Sequence, residues 1–527
     1  MSDASAESGE GGAVPLPGAG SRTPSWAAPP DPRRWWGLVV IAIAQLMVVL
    51  DATIVNIALP SAQHDLGISD ANRQWVITAY TLAFGGLLLL GGRIADLVGR
   101  KRTFMVGLVG FALASGLGGA ATGAGLLFGA RALQGAFGAL LAPSALSLLT
   151  TTFTIGKERS KAFGIYGAIA GGGAAIGLIA GGLLTEYLNW RWCLYVNVPV
   201  AVVALAGATV FLRDTRDRGG TRLDVPGVLL GCGGLIVIVY GCSEAQPRGW
   251  SDARVLGLLV GGVALLACFG WWQTRARYPL LPLGIVRNRN RGGAFLTMGL
   301  AVIGMFGMFL FMTYYFQVVL GYSPVRTGLA YLPMTAAIIV GSTQISARLL
   351  HRLAPRLLMV PGALLAASGL YTLTYLTARP AYLSHVLPAE LLVGLGMGLI
   401  FMPVMATATS GVAPQDSGVT SATVNTAQQV GGSIGTALLN TIATSTSATY
   451  IAAHLADAAR RTGGRGIPPA LRNGIVNDGV VDGFTVAIGV GSAIMLLAAL
   501  VAGLMVNGRA PKPAVPAPPA RASGARR

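Results

Sequence analysis

Charge is scarce in this sequence. Asp, Glu, Lys and Arg make up only 11% of its 527 residues, against about a quarter in a soluble globular chain, and the mean hydropathy is +0.63. That shortage excludes a chain whose main solvent is water. Cysteine is equally rare. Cys193, Cys232, Cys242 and Cys268 lie in or beside apolar runs without a CxxC spacing, which excludes a disulfide framework and leaves free buried thiols. His64, His351, His385 and His454 are scattered one per connecting segment, so no pair has the i, i+4 spacing of a zinc site and no metal is expected. No phosphate-cradling glycine loop precedes a Lys-Ser or Lys-Thr pair, so no nucleotide and no other cofactor is expected. The net charge of +18 comes without a basic face interleaved with aromatics, which argues against nucleic acid as a partner. Clustered catalytic polar residues at one interface, the mark of a membrane enzyme, are absent, as is the sizeable soluble domain of a sensor.

What the chain has is long apolar runs. A bilayer core about 30 Å thick takes roughly 20 mostly apolar residues per helix. Fourteen such runs follow one another, at about 35–59, 72–92, 103–121, 124–150, 161–185, 191–212, 224–243, 254–273, 292–319, 327–348, 356–377, 384–406, 418–443 and 481–506. The expected fold is therefore an all-α polytopic membrane protein of 14 transmembrane helices. With the N-terminus inside, 27 of the 38 Lys and Arg residues fall in inner segments, which is the sidedness that short basic loops impose. Both termini are then cytoplasmic and the protein belongs in the inner (cytoplasmic) membrane. The organisation expected is a disordered tail at 1–34, a six-helix bundle at 35–212, and two inserted helices with basic flanks at 213–291. A second six-helix bundle follows at 292–506, then a basic tail at 507–527. An outer loop at 444–480 belongs to the second bundle; its segment Tyr450–Arg460 is apolar on one helical face and reads as a short helix lying on the outer surface. One copy is expected to suffice for function.

An ionisable side chain at membrane depth is costly, so each is a functional candidate. Asp51 lies well inside the first run, where an ionisable side chain is expected to carry function. It either exchanges protons or is a permanently paired carboxylate. Arg131 opens Arg131-Ala-Leu-Gln134-Gly135 in the fourth run, with Gln134 one turn away on its face. It is either buried against a carboxylate, polar or backbone partner, or snorkels to the outer interface. Glu390 in the twelfth run joins them as a proton-coupling candidate. Gly92-Arg93-Ile-Ala-Asp96-Leu-Val-Gly99-Arg100-Lys101-Arg102 reads as a tight turn on the inner face, with glycine for backbone freedom. Gly173, Gly177, Gly181 and Gly182 in the fifth run permit close helix packing or bending. Asn425, Gln428 and Gln429 share one face of the thirteenth run. Together with Tyr314, Tyr315 and Gln317 of the ninth, Asn56 of the first and Gln134, they are the candidates to line a central polar path, interhelical hydrogen bonding being the competing role.

These segments resemble the major facilitator superfamily, in particular its fourteen-helix drug:proton antiporter branch. The string Leu50-Asp51-Ala52-Thr53-Ile54-Val55-Asn56-Ile57-Ala58-Leu59-Pro60 matches that branch's helix-one signature. Gly92 to Arg102 and Arg131 to Gly135 are similar to the superfamily's loop and helix-four signatures, and Trp190-Arg191-Trp192 with Asn197-Val-Pro199 matches the entry to helix six. The resemblance implies two six-helix bundles rocking about a central site, with the extra helix pair between them. It also implies that Asp96, within a gate of Gly92, Asp96, Gly99, Arg100 and Lys101, meets the N-terminus of the thirteenth helix and holds the cytoplasmic gate. Two departures stand out: helix five has Gly177-Leu178 where the antiporter signature has Gly-Pro, and the second half's loop Arg348–Arg356 lacks the Asp-x-x-Gly core.

The function expected is proton-coupled efflux of amphipathic drugs or antibiotics by alternating access. The partners are a small amphipathic substrate, protons and the lipid bilayer. Uptake of a small nutrient on the same fold is the alternative.

Overall fold

The computed structural model describes residues 33–68, 75–153, 156–213, 223–376, 382–413, 416–461 and 467–507, and these contain helices and no strand. The expected tails lie almost wholly outside them. The long helices are α1 (Arg34–Asp65), α2 (Trp75–Val98), α3 (Arg100–Gly119), α4 (Ala124–Thr152), α5 (Gly156–Tyr187), α6 (Asn197–Phe211), α7 (Val225–Arg248) and α8 (Ala253–Gln273). They continue as α9 (Arg289–Tyr314), α10 (Val325–Leu349), α11 (Arg356–Thr372), α12 (Leu387–Ala408), α13 (Ser417–Arg461) and α14 (Pro469–Met505). Wider π-helical turns extend α9 at Tyr315–Val319, interrupt α10 at Val340–Ser346 and lead into α12 at Tyr382–Val386.

Twelve stretches among the described residues are long and apolar enough to cross a bilayer. The two long helices that fall short are α5 and α13, where Gly, Ala, Ser and Thr replace the large aliphatics. Their composition follows from their position. α2, α3 and α4 pack together, with α1 against α5 and α6; α9, α11, α12, α13 and α14 form the second group. α13 lies against α2 and α4, and α5 against α10 and α12, so these two carry the seam between the groups. Lipid gives helices no hydrophobic reason to associate, so close backbone approach through small residues does the work. The lipid-facing helices show the opposite pattern, with Val202, Val203 and Val210 of α6 and Val260 and Val263 of α8 all more than half exposed.

α7 and α8 pair with each other and lean on both α2 and α13. Asp224 fastens this pair. It caps α7 through Gly227 N (3.0 Å) and accepts from Trp272 Nε1 (2.9 Å), Gln273 Nε2 (2.8 Å) and Leu280 N (3.3 Å). Burial pushes its carboxyl up, but these four donors outweigh it and hold the group below its ordinary value.

The structure corrects two local expectations. The segment from Gly92 to Val98 is the end of α2, not part of a turn; the chain reverses at Gly99 alone, whose φ of 114° is a conformation that favours glycine. The outer loop does not hold a separate helix lying flat. With no Gly or Pro between Thr436 and Arg461, α13 runs on for 45 residues, and α14 begins at Pro469 and packs back along it. At 1.5 Å per residue α13 is about 68 Å long, more than twice the thickness of a bilayer core. Cys268 is exposed, unlike the other three cysteines.

The α5 glycines serve close approach. A Cβ on Gly173 would press on Val49, one on Gly177 would collide with Thr53 Oγ1, and one on Gly181 would meet Ile54, all on α1, while Gly182 is also buried. The obstacle at Gly177 is a side-chain hydroxyl that, among the described residues, bonds carbonyls of its own helix, Val49 O and Leu50 O. Gly177→Ala should therefore cost about 1–3 kcal/mol by overpacking. Adding Thr53→Ala should restore most of the loss, as read from thermal unfolding of the purified protein in detergent.

Candidate functional site

Asp51 has no exposed surface, and its carboxylate is the hub of a polar cluster inside the first helix group. Arg131 Nη1 donates to Asp51 Oδ2 at 2.7 Å, while Gln134 Nε2 (3.0 Å) and Asn197 Nδ2 (2.8 Å) both donate to Oδ1. Arg131 also donates from Nη1 to Gln134 Oε1 (2.7 Å) and from Nε to the Val76 carbonyl (3.1 Å), and its guanidinium lies 4.4 Å from the centre of the Tyr80 ring. Gln134 Nε2 reaches Ser115 Oγ at 2.5 Å. α1, α2, α3, α4 and α6 each contribute a group. The structure thus selects burial over snorkelling for Arg131, which is 1% exposed. A charge pair this deep is held only by such complete hydrogen bonding, and removing one partner of a buried pair typically costs about 3–5 kcal/mol.

A second constellation closes the seam at the end where the basic connections lie. Asp96 accepts from Gly418 N (2.9 Å) and Val419 N (3.1 Å) in the first turn of α13, with Arg100 Nη2 at 3.6 Å. Orphan N–H groups and the positive end of the helix dipole make a helix N-terminus a natural seat for a carboxylate. The backbones must approach closely for this. A Cβ on Gly92 would meet Gly418 O at 2.5 Å, and one on Gly418 would strike Gly92 O. Three further bonds cross nearby: Ser147 Oγ with Ser417 Oγ (2.7 Å), Arg159 Nη2 to Thr409 Oγ1 (3.0 Å) and Ser342 Oγ to Gly164 O (2.7 Å). Lys101 does not join them; its Nζ donates to Thr209 O (2.9 Å) and ties α3 to α6 within the first group.

The remaining candidates separate. Gln134 belongs wholly to the Asp51 cluster and lines no path, because its amide is used up by Asp51, Arg131 and Ser115. Tyr314 is 43% exposed and meets Phe484 of α14 edge-on. Tyr315 is buried among aromatics and Gln317 is half-buried. Asn425 Nδ2 caps a carbonyl of its own helix, Ser421 O (2.9 Å), and Gln428 Nε2 touches Met298 Sδ (3.5 Å). Gln429 fills the space beside Gly85 of α2 across the seam. The side chain of Asn56 lies outside the described residues. Glu390 is fully buried in the second group, remote from Asp51 in fold position. The sequence assigns Ser115, Ser147 and Ser417 no role, and Asn197 stands there only within the string that resembles the entry to helix six. Asn197 carried a usable signal as an amide inside an apolar run, whereas single serines in membrane helices carry none.

The sequence model of the Major Facilitator Superfamily matches residues 41–436, which is most of the chain. The chain belongs to the major facilitator superfamily. Among curated members, the puromycin resistance protein pur8 of Streptomyces alboniger is 57% identical over 482 residues, covering 91% of this chain and 93% of that protein. The cephamycin export protein CmcT of Amycolatopsis lactamdurans is 40% identical over 427 residues, covering 80% and 88%. A crystal structure of the human organic anion transporter MFSD10 (TETRAN) superposes with a TM-score of 0.58 at 12% identity, covering 90% of this chain and all of that one, a likeness of fold alone. Like other major facilitator proteins, the chain is a multi-pass membrane protein, and these relatives are transporters, not enzymes.

The meeting of Ser147 and Ser417 offers a direct probe of the seam. Ser147→Cys with Ser417→Cys should form a disulfide under mild oxidation, seen as a mobility shift after proteolysis between the two halves. Asp96→Asn replaces one acceptor oxygen by a donor facing an N–H, a loss of about 1–3 kcal/mol. It should lower the yield of that cross-link.

Proposed function

We propose that this protein exports amphipathic, antibiotic-like molecules across the cytoplasmic membrane in exchange for protons, by alternating access. The observation that carries the reading is the buried Asp51–Arg131 pair. It is a charge pair with almost no exposed surface, and its Asp51 lies in the string that gives the chain its likeness to the antiporter branch. The relatedness to pur8 and CmcT over most of the chain supports export as the direction and antibiotics as the cargo class.

Sidedness follows from the basic end. Lys and Arg concentrate in the connections around Asp96, Arg159 and Arg291, and such loops stay in the cytoplasm. The Asp96–α13 contact is then the closed inner gate, and both termini are cytoplasmic. In this arrangement the seam helices α5 and α13 are the surfaces that part when the two groups rock. The inserted pair α7–α8, which touches both α2 and α13, follows the motion as a flank.

Coupling is assigned to Asp51. While Asp51 is ionised, Arg131 is neutralised and α1, α4 and α6 are drawn together. A proton on Asp51 leaves the guanidinium with Val76 O, Gln134 and the Tyr80 face as its neighbours, and the cluster loosens. α4 carries the change to Ser147 at its far end, which faces the gate helix α13. One side chain therefore biases a two-state contact on the other half. Glu390 has no counter-charge to release, so protonating it would set nothing free; it is not assigned this role.

Purified protein in vesicles containing a pH dye, with the lumen acidified, should release protons when puromycin or a comparable amphiphile is added. Asp51→Asn should abolish that release. Asp51→Asn combined with Arg131→Gln, which removes both charges, should recover the thermal stability that the single change loses and still show no proton release. Proton release at the wild-type rate from Asp51→Asn would overturn the assignment; silence of the wild type towards cationic, neutral and zwitterionic amphiphiles would overturn export.

A further inference from the structure

Densely bonded as the Asp51–Arg131 cluster is, two positions in it are left over. A carboxylate offers about four acceptor positions, and three donors reach Asp51: Gln134 and Asn197 on Oδ1, Arg131 on Oδ2. Oδ2 therefore keeps one open position. Arg131 bonds through Nε and Nη1, and among the described residues its Nη2 bonds to nothing. An acceptor and a donor left open on two groups already in contact are the partners that one bridging water needs.

A narrow crevice reaches this point. Val55, Ala58 and Ala62 of α1, Leu127 and Arg131 of α4 and Trp190 of the α5–α6 connection line it, and its free volume of about 10 Å³ is the least that holds a water. Val55 is one turn from Asp51, while Ala62 is near the end of α1 remote from the Asp96 gate, since α1 starts at the gate end, where Arg34 pairs with Glu158. The crevice thus runs from the ion pair towards the face opposite the gate. It stays inside the first group: neither these residues nor the Asp51 cluster draw on the seam helices α5 and α13. Trp190 closes its far mouth. The ring is 5% exposed, and its Nε1 donates to Asp65 Oδ2 at 3.0 Å. Arg191 Nη2 donates to the same oxygen (3.0 Å), its Nη1 donates to Gly119 O (2.9 Å) and Ala121 O (2.6 Å), and its guanidinium lies 4.6 Å from the Trp190 ring. The Asp65 side chain is 50% exposed, so water stands at the outer side of this plug.

We propose that this crevice, with Trp190 as its lid, is the route by which protons from the face opposite the gate reach Asp51, separate from the seam that carries the cargo. It rests on the proton-exchange reading and adds the path. A hydrated proton passes from water in the crevice to the open position on Asp51 Oδ2, forming an O–H bond and leaving a neutral water, which Arg131 Nη2 holds. The titratable groups facing Asp51 are Arg131 of α4, Tyr80 of α2 and Cys193 of the α5–α6 connection, with Asp65 and Arg191 paired at the mouth. Of the three that face it, Arg131 alone is a cation, and its repulsion of an incoming proton is offset by the charge of Asp51 itself.

Two measurements test the route. Ala58 is 4% exposed on the crevice wall, and Ala58→Leu fills the room a water needs. It should slow puromycin-triggered proton release from acidified vesicles by about tenfold or more, with puromycin binding to the purified protein unchanged; Ala58→Ser, which keeps the room, should release protons as wild type does. Release at the wild-type rate from Ala58→Leu overturns the route. The second measurement needs no transport. Leu127 and Ala130 lie one turn apart on α4, 1% and 2% exposed, and Leu127 lines the crevice whereas Ala130 does not. A small charged methanethiosulfonate, followed by peptide mass, should modify the thiol of Leu127→Cys about tenfold faster once Trp190→Ala is added, and that of Ala130→Cys no faster, because thiol reactivity follows access. A general loosening of the fold would raise both rates and overturn the lid, as would no change at Leu127→Cys. Wild type silent in proton release, with the labelling as expected, would count against proton exchange alone and leave the water route standing.

Discussion

A single ion pair that cannot reach water organises the first half of this molecule. Asp51 and Arg131 sit 2.7 Å apart with neither exposed by more than 2%, and groups from five helices converge on them: Ser115, Gln134 and Asn197 side chains, the Val76 carbonyl and the Tyr80 ring. In water such a pair would contribute little. In a bilayer the alternatives are worse: an unpaired guanidinium or carboxylate at that depth is far more expensive than the pair, so the five helices have no cheaper arrangement that keeps both residues. The same logic makes the pair a sensitive place to add a proton, because neutralising one partner removes the reason for the other's position.

The second half is built differently. Where the first half answers its buried acid with a base, the second gives Glu390, among the described residues, the Tyr382 hydroxyl at 3.5 Å. Met298, Met305, Met308, Met312, Met334, Met397, Met402 and Met405 fill much of its core. Unbranched, polarizable methionines tolerate repacking better than β-branched residues do. All three π-helical turns also belong to this half. A charge-locked half is thus joined to one rich in methionine and aromatic rings.

Much of this was legible in the chain. Hydropathy, length and basic connections were enough for fourteen helices, and the run from Leu50 to Pro60 was enough for the family. α13 marks the limit of that method: the reading ends it near residue 443 and makes 444–480 a loop, whereas the helix runs on to Arg461. Arg131 could be narrowed to two readings and no further. Its partner is 80 residues away in sequence, and no pattern in one chain states that two distant residues touch. Tyr314 shows a related limit: a residue's face on a helix can be computed, but not that it meets Phe484 of α14. Lys101 looked like part of the inner gate because it adjoins Arg100, yet one residue along a helix is 100° of rotation, and it ends on α6 instead.

α13 has one end seated on Asp96 and the other some 68 Å away at Arg461, with α14 lying along its far portion and no proline in between. It is a lever. A tilt of roughly 10° about the gate would move the distal tip by about 12 Å, an angular change at one membrane face read out as a large displacement at the other. The distal hairpin thereby becomes a pointer whose position reports whether the distant carboxylate is still in its seat.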